Sequence, residues 1–331
     1  MRSGKSRWAD SYGTYPLKTG RAPVFLCDRI CAMHDSGYRG RFAPSPTGAL
    51  HLGSLLTAVA SFLDARSRGG EWLLRMEDLD PPREAPGAAA GILRTLERFG
   101  LYWDGEVLYQ SRRSEAYRHS LEQLRKADLV YPCACSRREI RARAASGAGA
   151  AVYPGTCRAG LPPGRKARAL RVRVAATNVR FTDRLQGHID EWLPTQAGDF
   201  VLRRADGLFA YQLAVVVDDA LQGISDIVRG ADLLDSTGRQ IFLQQALEFQ
   251  TPRYLHLPVV VNQRGVKLSK QSGARGVDRE PPLKILATVL DLLGHGVPAE
   301  VMDATLDEFW AWAAASWNPD RIPRKRSIQG R

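Results

Sequence analysis

Long apolar runs are missing from this chain. Nothing in its 331 residues approaches the roughly 20 consecutive apolar positions that a bilayer-spanning helix needs. The N-terminus also lacks the basic-then-apolar order of a secretory signal. Cysteine is scarce and odd in number, five in all, which fits poorly with a disulfide framework at this length. Histidine occurs only six times. No internal repeat is apparent. These absences argue against a membrane protein and a disulfide-stapled secreted module, and a reducing cytoplasm is the expected setting.

What is present is a real core and an uneven charge. Hydrophobic residues make up 44% of the chain, and the length suggests about two domains of about 150 residues. The formal charge of +12 invites a polyanion partner. Residues 1–40 hold seven Lys/Arg against three Asp, and residues 318–331 hold five against one. Within the body, Arg137 to Arg173 holds ten basic residues against Glu139 alone. The rest of the body is net acidic, so the charge is polarised.

The pattern along the chain is strand, loop, helix. In "RFAPSPTGALHLGSLLTAVA", a Pro/Gly-rich loop runs into a helix whose Leu55, Leu56, Val59, Phe62 and Leu63 share one face. "GEWLLRMEDLD" reads as a short buried strand ending in carboxylates, and a helix is expected over Ala88 to Phe99. "AYQLAVVVDDA" and "YLHLPVVVN" read as further β-rich runs, with "TGRQIFLQQALEF" a helix between them. Such alternation predicts a mostly parallel α/β sheet, which binds ligands beyond the C-terminal ends of its strands. Residues 110–198 break the alternation and read as an insertion. Residues 1–38 show no sustained period and read as a poorly ordered extension. A catalytic domain is expected over 39–280, a short helical region over 281–317 and a basic tail over 318–331.

Two motifs suggest phosphate chemistry. A helix N-terminus offers free N–H groups and a positive dipole end. Gly48 and Gly53 would let a ligand approach the backbone, and His51 could donate to a phosphoryl oxygen. "GVKLSKQSG" places Lys267 and Lys270 three apart on a Gly/Ser-flanked loop. Taken singly, a plain connecting turn and a solvated basic loop explain these features better. Three thiols, Cys133, Cys135 and Cys157, cluster within 25 residues and look like a zinc site, with three buried free cysteines as the bland alternative. Cys27 and Cys31 form a weaker pair. Asp218 and Asp219 are a further acidic pair that could hold Mg²⁺ or a ribose.

Together, "PSPTGALHLGS" and "KLSK" resemble the two signatures of class I aminoacyl-tRNA synthetases. "RFAPSPTG", "RMEDLDPPRE", "YQLAVVVDDALQGISDIVRGADLLDST" and "KLSK" resemble the glutamyl branch, in that order, over about Arg39 to Ser272. The resemblance implies a Rossmann-like doubly wound parallel sheet with an inserted zinc-containing subdomain. It implies ATP held by Pro44, Gly48, His51, Gly53, Ser54, Lys267, Ser269 and Lys270, with His51 and Lys270 assisting catalysis. Glutamate would be met by Arg41, Ser45, Glu77, Tyr211 and Arg229. Tyr153 would join the three cysteines as fourth zinc ligand, and Mg²⁺ would arrive with ATP. Only 61 residues follow Lys270, short of the roughly 100 that a separate anticodon-binding domain needs. The branch without that domain is the glutamyl-Q-tRNA(Asp) synthetases, which attach glutamate to the queuosine base of tRNA(Asp). ATP, L-glutamate and tRNA(Asp) are therefore the expected partners, and no protein partner is evident. The alternatives are a truncated synthetase charging a tRNA 3′ end, and a non-catalytic zinc-containing RNA-binding paralogue.

Overall fold

The computed structural model describes residues 37–143, 152–268 and 276–330. Elements in chain order are β1 (Arg39–Phe42), α1 (Leu52–Arg66), β2 (Glu71–Met76), α2 (Ala88–Arg98), β3 (Leu108–Tyr109), α3 (Ser114–Lys126), β4 (Val130–Cys133), α4 (Arg137–Arg143) and β5 (Ala169–Val172). They continue with β6 (Asn178–Asp183), β7 (Gly187–Trp192), β8 (Val201–Arg203), α5 (Tyr211–Leu221), β9 (Asp226–Gly230), α6 (Leu234–Ala246), β10 (Arg253–Leu257), β11 (Val259–Val261), α7 (Pro282–Leu292), α8 (Leu306–Ser316) and β12 (Ser327–Gln329). Among the described residues no helix is long and apolar enough to cross a membrane.

Parallel pairing dominates the catalytic half. β1 pairs with β2, β2 with β3, and β9 with β10, all parallel. β1 also lies against the start of β9, where the Ser225 N–H donates to the Arg39 carbonyl at 3.0 Å. The C-terminal ends of β1, β2 and β9 deliver Arg41, Glu77 and Arg229 to one edge. Helix α1 covers this sheet with the predicted face: Leu55, Leu56, Val59, Phe62 and Leu63 are all buried. Each such side chain contributes roughly 1.5–3 kcal/mol on leaving water. Phe62 packs edge-on against Trp72 of β2 and Trp310 of α8, so the C-terminal helices close the far side of the same core.

The structure corrects one sequence-based expectation and adds detail to the segment boundaries. "AYQLAVVVDDA" is helical, not β-rich: it forms α5, in which Leu213 to Val217 are at most 1% exposed. A helix enclosed on nearly all sides shows no apolar period, and its valines mimic a buried strand. The extension stops before Tyr38, which is buried and donates its hydroxyl to Asp64 at 2.7 Å. The insertion runs past 198, because β8 is the sheet partner of β5 in the antiparallel set β4–β5–β8. Its Tyr117, Val172 and Leu202 share one apolar cluster with Val215, Ile241 and Tyr254. The basic tail is partly strand: Ile322 is buried, and β12 pairs in parallel with β11. Residues 1–36, with Cys27 and Cys31, lie outside the described residues.

Candidate active site

The loop between β1 and α1 is shaped by its small residues. Gly48 has φ 141°, which side-chain-bearing residues avoid. His51 precedes α1 with extended backbone, and its Nδ1 accepts the Ser54 N–H at 3.2 Å. The imidazole therefore caps the helix, satisfying one of its otherwise unpaired first-turn donors. Its Nε2 lies 3.0 Å from Ser54 Oγ. A Cβ at Gly53 would sit 3.3 Å from this ring and 3.7 Å from the Leu268 carbonyl, so a glycine lets the two segments approach. No acidic residue occupies the first turn of α1, which leaves its positive dipole end uncompensated.

A cavity of about 590 Å³ opens in front of this helix end. Of the predicted residues it gathers Arg41, Pro44, Ser45, His51, Gly53, Ser54, Glu77, Tyr211, Arg229 and Lys267. Gly48 does not line it, and its φ of 141° turns the loop. Ser269 and Lys270 lie outside the described residues. Lys267 pairs with Asp232, a cavity residue that the sequence reading did not single out.

One end of the cavity is a charged chain built from three elements. Arg41 Nε donates to Asp219 Oδ1 at 3.0 Å, and Arg75 Nη1 donates to the same oxygen at 2.8 Å. Arg75 Nη2 in turn lies 3.5 Å from Glu77 Oε1. Arg41, Asp219, Arg75 and Glu77 thus alternate in sign. Burial pushes the Glu77 carboxyl up, against the opposing pull of Arg75 and Arg41. The Glu77 N–H donates to the Pro44 carbonyl at 3.0 Å, tying the end of β2 to the loop. Tyr211 opens α5 at the cavity wall, where burial and Glu77 push its phenol up. Arg229 is 3% exposed; its Nε donates to His256 Nε2 at 3.0 Å and its Nη2 to Thr237 Oγ1 at 2.8 Å. Its Nη1 is buried without a protein partner.

Arg75, Asp219, His256 and Thr237 were not among the predicted site residues. Arg75 stands in the quoted "RMED", and a lone histidine in the apolar run "YLHL" was a usable signal. The neighbouring Asp218 accepts from the Tyr117 hydroxyl at 2.6 Å and from Gln110 Nε2 at 2.9 Å, so it binds the insertion to α5. Both aspartates of the pair are fully engaged by protein groups.

The three cysteines converge. Cys133, Cys135 and Cys157 have Sγ atoms all within 4.8 Å of one another, and they could hold a metal ion. Cys135 Sγ is 3.7 Å from Cys157 Sγ, and Tyr153 Oη is 3.4 Å from Cys133 Sγ and 3.7 Å from Cys135 Sγ. Bonds of about 2.3 Å to sulfur and 2.0 Å to oxygen at tetrahedral angles require edges of about 3.8 and 3.5 Å. The Cys135–Cys157 separation and the two Tyr153 separations lie close to those edges. The basic segment around them is partly spent on internal pairing. Arg165 binds Glu139 at 2.9 Å, Arg158 binds Asp199 at 2.8 Å, and Arg171 lies 3.9 Å over the Tyr153 ring. Arg137, Arg138, Arg141, Lys166 and Arg168 remain exposed.

Comparison with known proteins agrees with this geometry. Residues 38–281 match the family of class I tRNA synthetases (E and Q), catalytic domain. A glutamyl-Q tRNA(Asp) synthetase from Dechloromonas aromatica is 57% identical, covering 89% of this chain and 98% of its own. One from Pseudomonas aeruginosa is 52% identical over 87% of this chain and 96% of its own. Among solved structures, a glutamate tRNA ligase from Elizabethkingia meningosepticum, in complex with its amino acid, superposes with a TM-score of 0.75 at 26% identity, covering 89% of this chain and 67% of that one. The chain therefore belongs to the class I glutamyl and glutaminyl tRNA synthetase family, among the glutamyl-Q tRNA(Asp) synthetases.

Proposed function

We propose that this chain activates glutamate with ATP and transfers it to the queuosine base of tRNA(Asp). The observation that carries the reading is the placement of charge in the cavity: Arg41 and Arg229 with the Glu77 carboxylate, beside a helix whose first turn holds no acid. Free glutamate presents two carboxylates and an ammonium. Arg41 and Arg229 suit the carboxylates, since a guanidinium offers paired donors. Glu77 suits the ammonium, and Tyr211 supplies a hydroxyl at the wall. The first-turn amides of α1, with His51 and Lys267, suit the phosphates of ATP.

Activation then needs no protein nucleophile. The α-carboxylate of glutamate attacks the α-phosphorus of ATP, the bond to the β-phosphate breaks, and pyrophosphate leaves. The side chains supply position and charge stabilisation. Mg²⁺, arriving with ATP, would neutralise phosphate charge. Lys270 and Ser269 are the further expected phosphate contacts. The four groups Cys133, Cys135, Tyr153 and Cys157 would hold one structural Zn²⁺, and a closed four-ligand site leaves no position for substrate. A cytoplasmic setting, which keeps thiols reduced, suits that site.

The test is ATP–pyrophosphate exchange without any RNA. Exchange should depend on glutamate and fail with aspartate, which is one methylene too short to reach both partners. Labelled glutamate should then appear on queuosine-containing tRNA(Asp), in the anticodon-loop fragment and not on the 3′-terminal adenosine. Exchange that appears only with tRNA, or label on the 3′-terminal adenosine of tRNA(Glu), would overturn the reading.

A further inference from the structure

We propose that His256 and Asp183 are positioning residues that aim the free edge of Arg229 at its anionic ligand. This rests on the glutamate reading above. His256 stands directly opposite Arg229 in the β9–β10 pair, so the two side chains share a face. Two of the three guanidinium nitrogens are held from behind, Nε by His256 Nε2 at 3.0 Å and Nη2 by Thr237 Oγ1 at 2.8 Å. The third, Nη1, is buried, unpartnered by protein, and belongs to a side chain that lines the cavity. A buried donor left unpaired costs free energy. A ligand carboxylate oxygen at that position would remove the cost.

The contact fixes the protonation of the histidine. A guanidinium does not give up its proton, so His256 Nε2 must offer a lone pair to Arg229 Nε. The ring proton therefore sits on Nδ1, 2.7 Å from Asp183 Oδ2. Asp183 is itself fixed, accepting the backbone N–H groups of His256, Leu185 and Gln186. The carboxylate thus selects the tautomer, the tautomer exposes the lone pair, and the lone pair orients the arginine. Asp183 ends β6 in the insertion, so the residue that sets the glutamate pocket belongs to a different part of the chain from Arg229.

The experiment uses the full chain and two readouts. Ring ¹⁵N shifts of His256 at neutral pH should report a protonated Nδ1 and a bare Nε2; a proton on Nε2 would overturn the proposal. In glutamate-dependent exchange, His256→Phe should raise the glutamate KM about 30-fold with the ATP KM within about twofold, because the Arg229 Nε is left unpaired. His256→Gln, whose amide oxygen can reach the Nε2 position, should recover to within about fivefold of wild type. If His256→Phe does not fold, Thr237→Val removes the second anchor at nearly constant volume and should raise the glutamate KM alone. Equal effects of Phe and Gln, or parallel changes in both KM values, would reduce the pair to core packing and overturn the role. Wild-type protein that shows no glutamate-dependent exchange would remove the glutamate reading itself, and this role with it.

Discussion

Asp219 holds Arg41 in the cavity wall: Oδ1 accepts from Nε at 3.0 Å, and the two side chains are only 3% and 4% exposed. The same carboxylate holds Arg75. It therefore governs both a pocket arginine and the counter-ion of Glu77. Removing one partner of a buried pair strands the others, which typically costs about 3–5 kcal/mol. Asp219→Asn keeps the shape and loses the charge. It should raise the glutamate KM at least about tenfold and lower the thermal midpoint, while a variant with unchanged KM would show that Arg41 is oriented by other contacts.

Freshly purified protein should carry about one zinc ion per chain. Cys135→Ser should lose the metal and destabilise the β4–β5–β8 sheet, and exchange should fall only as folding does. Elemental analysis beside limited proteolysis of the insertion checks both parts. Zinc retained at full occupancy by the variant would remove Cys135 from the ligand set.

Acid stability should depend on Asp64. Burial alone would raise its carboxyl, but bonds from Arg184 and Tyr38 and the charge of Arg68 outweigh it and bring it down to about 2. The unfolded chain takes up the proton first, with an ordinary value of 3.8. The contribution is therefore fully present above the unfolded value and lost as pH falls toward the folded one. It amounts to roughly 2 kcal/mol. Denaturant unfolding of wild type and Asp64→Asn should show a stability difference that narrows between about pH 5 and pH 2. A constant gap would contradict this assignment.

RNA transfer should depend on the exposed cations of the insertion, not on the paired ones. Replacing Arg137, Arg138, Lys166 and Arg168 with Gln should weaken transfer to tRNA, flatten its salt dependence and leave exchange intact. Arg165 belongs outside this set, because it binds Glu139 and the Ala134 carbonyl beside the thiols. Unchanged salt dependence in the four-site variant would point to another face of the molecule.

The site was legible in the sequence where local rules act. The Pro/Gly loop, the histidine ahead of an apolar helix and the cysteine spacing each have a chemical reason to lie close together in the chain. The anchors were not legible. Arg41 and Asp219 are 178 residues apart, and His256 and Asp183 are 73 apart. No periodicity encodes such meetings; they exist only once β1, β9, β10 and α5 have packed. The helix α5 was misread for a related reason, since its surroundings rather than its own pattern determine its conformation. The charge of the basic segment was visible, but how much of it Glu139 and Asp199 absorb was not.

Helix α5 carries Tyr211 at its first residue and Asp218 and Asp219 seven and eight positions on, about 11 to 12 Å along its axis. One end touches the cavity, while the other fastens the insertion through Tyr117 and Gln110 and the parallel sheet through Arg41 and Arg75. The helix is thus a spacer of fixed length and fixed phase. A one-residue insertion or deletion inside it would turn everything beyond by about 100°. Both carboxylates would then face away from their partners. A change of length in a surface loop would leave this geometry alone, but between these two points the packing fixes the residue count.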